Sequence, residues 1–174
     1  IELPKNTSYQ LSNLPLDTVL AGKYVRMAYL VTKELYTKSD GADERIFIQD
    51  ESLPLRLAYN AKNMISLDTR AVYSPKNSQA LSKNKSQQLY DRFYTYYFSL
   101  LEFNTASDAQ KFELYKRIIS TIWKAKKKNS NLFEKMSFFL YYLGVKTVSI
   151  KPNIKKLDKY KQFIDSLKNV KKLH

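Results

Sequence analysis

Cysteine is absent from the 174 residues, and the single histidine is the last of them, His174. Without thiols there can be no disulfide, zinc–thiolate centre or cysteine nucleophile. With one terminal imidazole, most metal, general-base and triad chemistry falls away too. Glycine is nearly as scarce: Gly22, Gly41 and Gly144 stand far apart, which excludes a glycine-rich phosphate loop. No apolar run approaches the ~20 residues of a membrane span. Carboxylates are few and scattered. The adjacent Asp50 and Glu51 fall at an expected hairpin corner, where neighbouring side chains point opposite ways and cannot easily share a ligand. These absences argue against an enzyme, a cofactor, a metal and a small-molecule substrate. The chain starts at Ile1 with no methionine, leader or lipid motif, as expected of a domain cut from a longer protein.

What is abundant is aromatic and basic. Aromatic residues make up 14% and hydrophobic residues 44% of the chain, enough for a folded core. Thirty Lys and Arg stand against sixteen Asp and Glu, a net charge of +14. Residues 1–110 hold 13 basic and 12 acidic side chains (+1), and residues 111–174 hold 17 and 4 (+13). Of those 17 only Arg117 is not lysine. A one-sided excess suggests a polyanion, and lysine, a point charge, suits phosphate better than bidentate base reading. A lysine-rich solvated surface is the plain alternative.

Residue spacing predicts a mixed α+β domain over 1–174. An irregular arm (1–22) is followed by strands, mainly within 23–103: Lys23–Thr32, Arg45–Asp50, Leu55–Tyr59, Thr69–Tyr73 and Phe93–Phe103. In the last of these, period 2 and period 3.6 both fit. The polar stretch from Lys76 to Gln88 reads as a loop. Helices are expected over about 108–128, capped at Ser107 or Asp108, over 132–143, ending at Gly144, and over 155–171. A strand at 145–150 separates the last two. Strands in succession, then helices, argue against a doubly wound sheet. A small antiparallel barrel of the five-stranded OB type, with added helices, fits this order better.

Leu16-Asp17-Thr18, Lys23-Tyr24-Val25-Arg26-Met27, Leu30-Val31 and Phe47 to Asp50 resemble the opening of telomeric single-strand-binding OB domains. Those domains belong to the budding-yeast CST large subunit and the POT-type end-binding proteins. The resemblance covers about residues 16–52 and implies a non-enzymatic, intracellular and nuclear protein of chromosome ends.

Single-strand binders combine a basic groove with aromatic faces on which bases stack. On an OB barrel, strands 2 and 3 would present Arg45, Phe47, Arg56 and Tyr59, with Arg70 and Tyr73 beside them. If Ile46 and Ile48 fill the core, Phe47 faces water and wants a flat partner. Lys83, Lys85 and Arg92, and Lys126 and Lys127 at a helix end, would hold phosphates. The plain readings are core positions for Phe47, Tyr59 and Tyr73 and a solvated helix end for the lysines. The expected function is therefore single-stranded nucleic-acid binding, DNA favoured, without a membrane. The alternative is a protein-interaction or dimerisation module, the partner being another protein or a second copy.

Overall fold

In the order of the chain, the computed structural model holds β1 (Ser8–Ser12), α1 (Pro15–Leu20), α2 (Lys33–Lys38), α3 (Ser52–Asn60), β2 (Met64–Asp68), α4 (Lys85–Glu102), α5 (Asp108–Asn129), α6 (Leu132–Thr147) and α7 (Ile154–Asp165). It describes residues 8–22, 29–68, 84–148 and 152–173. Helix makes up 63% of this, and the only sheet among the described residues is β1 paired antiparallel with β2, Ser8 opposite Asp68 and Ser12 opposite Met64. An open two-stranded ribbon cannot close, so the expected OB-like barrel is corrected to a helical fold.

The correction is clearest at two segments. Leu55–Tyr59, expected as a strand, lies in α3, which buries Pro54, Leu55, Leu57 and Ala58 along one side. Phe93–Phe103, also expected as a strand, belongs almost wholly to α4. There Leu89, Phe93, Tyr96 and Leu100 are buried at spacings of four, three and four, the helical period. Arg45–Asp50 forms turns instead of a strand. The Asp91 carboxylate of α4 takes the N–H groups of Phe47 (3.4 Å) and Ile48 (3.0 Å), serving backbone donors that a ladder would otherwise satisfy.

Other boundaries shift less. The capping box at Ser107 and Gln110 starts α5 as expected. Helix α6 runs through Gly144 to Thr147, which takes up the start of the expected 145–150 strand. The last helix stops at Asp165 instead of 171. The arm before Gly22 carries β1 and α1. Lys23–Ala28, the 69–73 strand and positions 149–150 lie outside the described residues, as do Arg70, Tyr73, Lys83 and His174.

Helices α4 to α7 alternate in direction. Tyr96 of α4 meets Arg117 of α5 (3.0 Å), Tyr115 of α5 meets Tyr141 of α6, and Phe138 of α6 packs edge-on to Tyr160 of α7. Tyr94 of α4 donates to Asp165 of α7. Tyr97, later in α4, meets Asp158, earlier in α7, Tyr141 of α6 likewise meets Lys156 of α7, and short connections turn α4 into α5 and α5 into α6, giving an up-down-up-down arrangement. Helices α1 and α3 pack on each other and cover α5 and α4. The core centres on Phe93, Tyr94, Leu114, Tyr115, Ile118, Ile119 and Ile122, sealed from water. No described helix is long and apolar enough to cross a membrane.

Candidate functional site

Three of the arginines expected to face a ligand, Arg45, Arg56 and Arg92, are turned to carboxylates of the chain itself. Arg45 bonds Asp43 (Nε to Oδ1, 2.9 Å) and Glu102 (Nη1 to Oε1, 2.6 Å), with its guanidinium 3.9 Å from the Phe98 ring centroid. Arg56 donates to the Ser39 carbonyl (3.0 Å) and pairs with Asp43 (3.1 Å). Arg92 pairs with buried Glu51 (Nε to Oε1, 2.8 Å), which also accepts from the Tyr96 hydroxyl. Burial alone would raise the Asp43 carboxyl, but the bonds and charge of Arg45, joined by Arg56, hold it below its usual range.

Two of the expected rings, Phe47 and Tyr59, are also spoken for. Tyr59 stacks on Phe103 at 4.0 Å and 2° between planes, and its hydroxyl meets Thr105 Oγ1 at 2.8 Å. Phe47 is half-buried, with Lys171 Nζ 4.7 Å from its ring centroid. Tyr90, Phe93 and Tyr94 are core side chains. Burial and then the Asp165 carboxylate push the Tyr90 phenol up to about 12, and burial with the bond to Asp165 pushes Tyr94 higher still. A phenol whose folded value is raised stabilises the fold fully below its unfolded value near 10 and loses that contribution as pH climbs through the folded value. In an alkaline titration, phenolate absorbance from these two rings should therefore appear only above about pH 11, together with loss of the far-ultraviolet helix signal. Early, separate ionisation would place them in water.

Three of the expected phosphate-binding residues do converge. Antiparallel packing that sets Tyr96 level with Arg117 also sets Lys85, at the start of α4, level with the end of α5, where Lys126, Lys127 and Lys128 lie. Helix α6 begins at the same end with Lys135 in its first turns. The segment after α7 returns there as well. Asn84 Nδ2 donates to the Asn169 carbonyl (3.0 Å), and Gln87 clasps the backbone of Lys171 through both its amide oxygen (2.6 Å) and nitrogen (3.1 Å). This brings Lys168, Lys171 and Lys172 to the pole. Eight lysines thus share one end of the bundle, against the carboxylates of Glu134 and Asp165 and the buried Asp91, which accepts from Gln87. Lys126 is laid over Phe163 at 4.3 Å. Among the described residues, Lys85, Lys127 and Lys128 have no carboxylate in ion-pairing range.

Helix electrostatics explain part of this pole. Cations favour the last turn of a helix, which accounts for Lys126–Lys128. The same dipole disfavours Lys85 and Lys135, which stand at helix starts. Positive charge therefore collects at this end whichever terminus a helix points towards it. Tyr59 lies at the opposite end, against the α4–α5 connection. Lys135, Lys168, Lys171 and Lys172 were not singled out from spacing, because their meeting depends on α4 being a helix.

Among the described residues no cluster of His, Cys, Asp and Glu could hold a metal ion. A cavity of about 60 Å³ lined by Glu51, Asp91, Arg92 and Thr95 has room for a few waters; Glu51 and Arg92 pair with each other there, and Asp91 accepts from Gln87 and from the N–H groups of Phe47 and Ile48. The chain matches no family model, no curated protein and no solved structure.

Proposed function

We propose that the chain is a non-enzymatic module that binds a polyanion at the lysine pole, with a single-stranded nucleic acid as the ligand class. The observation that carries the reading is the gathering of lysines from four segments at one end, Lys85 and Lys135 against their own helix dipoles. The site is a phosphate site. Of the rings expected to stack on bases, Tyr59 is packed on Phe103 and Phe47 is half-buried under Lys171, so the reading gives up that stacking platform and keeps the electrostatic part. A single strand suits a pole one helical bundle wide, because its backbone bends over that span, whereas a duplex stays straight over ~150 base pairs. DNA, a nuclear location and a role at chromosome ends were implied by the OB resemblance. With no barrel to support them, they do not enter the proposal.

The test is a titration of fluorescein-labelled dT20 across a salt series. Five or six phosphate contacts predict a log–log slope of about −4 for a single strand. A slope shallower than about −1, or retention that does not depend on salt, would remove the reading.

A further inference from the structure

Three half-open rings stand together on the face that α5 and α6 share. Trp123 of α5 lies 5.1 Å from Phe139 and 5.9 Å from Tyr142 of α6, and those two are 6.4 Å apart, centroid to centroid. Their planes are inclined by only 37°, 22° and 24°. Rings in face contact are about 3.5 Å apart, so centroids at these distances on all three sides are slid sideways by ~4–5 Å. The rings therefore tile a shelf instead of capping one another, and each keeps part of a face uncovered by the other two. None of them is sealed from water. Met136 and Leu143, on the next ridge of α6, are exposed and leave that side open. The inner sides of the two helices are filled without them, by Ile119, Ile122, Phe138 and Val145. Among the described residues neither the Trp123 N–H nor the Tyr142 hydroxyl has a hydrogen-bond partner.

We propose that this shelf is the base-stacking subsite of the single strand held at the lysine pole. The inference rests on the polyanion reading above and adds what that reading lacks, a surface for the flat part of the ligand. Lysines place the shelf in line with the pole. Lys127 follows Trp123 by four residues and Lys135 precedes Phe139 by four, so each stands on its ring's side of the helix, one turn nearer the pole. Lys146 follows Tyr142 by four and lies 6.0 Å from its ring centroid, at the far edge. Along α6, cations thus bracket the rings over about 16 Å. A strand that carries both phosphates and bases fits this order of cations and rings. An anionic polymer without bases would use only the lysines. A second copy packed shelf to shelf would set these lysines against their own counterparts.

Trp123 is the only tryptophan of the chain, so its fluorescence reports on the shelf directly. The experiment titrates the whole chain with unlabelled dT20 and with an abasic 20-mer of the same charge. It is repeated with Phe139→Leu and Trp123→Leu, affinities being read from the anisotropy of labelled strands. The expected result is quenching of Trp123 by dT20 and not by the abasic strand, with dT20 bound at least tenfold more tightly. Either variant should bind dT20 at least fivefold more weakly. Its abasic-strand affinity and salt slope should stay as they were, since no phosphate contact is removed. Circular dichroism checks that the variants stay folded, and quenching in the unaltered chain needs no variant at all. Equal affinity for the two strands with an unchanged tryptophan signal would overturn the shelf and leave the pole standing. Quenching by dT20 without salt dependence would instead remove the pole and support the shelf. A tryptophan signal that follows protein concentration alone would assign the rings to a contact between copies and overturn the proposal.

Discussion

Replacing Glu51 by alanine should cost about 3–5 kcal/mol, a large share of the 5–15 kcal/mol that holds a domain of this size together. The carboxylate is 5% exposed and serves two partners at once, the Arg92 guanidinium and the Tyr96 hydroxyl. Tyr96 in turn accepts from Arg117, whose other nitrogen reaches the Leu20 carbonyl of α1. Removing Glu51 therefore strands a half-buried cation and loosens the joint between α1, α4 and α5. Urea unfolding followed by circular dichroism reads the effect as a lower midpoint at an unchanged slope. Glu51→Leu combined with Arg92→Met should recover much of the loss, since a buried pair exchanged for packed apolar groups is often neutral. A loss under 1 kcal/mol in Glu51→Ala would mean that water reaches the pair.

The second large effect concerns the pole. Exchanging Lys85, Lys127 and Lys128 together for alanine should weaken dT20 binding on the order of 100-fold at moderate salt. The log–log slope should become shallower by about 2, as three lost contacts on a single strand require. Stability should hardly move. Lys127 and Lys128 stabilise the end of α5 through its dipole, whereas Lys85 opposes the dipole of α4, so the terms partly cancel. Unaltered affinity in this variant would show that the strand, if bound, is held elsewhere.

The sequence speaks most clearly where a helix carries both its cap and its period. Ser107 and Gln110 announce α5, and the stripe from Tyr115 to Ile122 confirms its face. Helix α4 is harder to read because its central residues, Phe93, Tyr94, Tyr96, Tyr97 and Phe98, are those that favour strands. Packing against α5 and α7 decides the matter, and the helical interval between Leu89, Phe93, Tyr96 and Leu100 shows how. Helix α3 misleads for a related reason: Leu55, Leu57 and Tyr59 alternate over a stretch too short to separate the two periods. The roles of Arg45 and Arg92 depend on Glu102 and Glu51, which lie far off in the chain and come near only once α4 has formed. The charge excess is visible in composition alone, but its convergence on one pole is not, since that follows from the direction of four helices.

Gln87 grips residue 171 entirely through main-chain atoms, one amide face against one peptide group. Such a grip is indifferent to the identity of the side chain held. Evolution is free to rewrite that position, charge included, while the strap across the start of α4 stays fastened. Proline alone is barred, because it has no N–H to offer. The charge of the pole and the fastening of the tail are thereby uncoupled, and ligand preference can drift without disturbing the architecture beneath it.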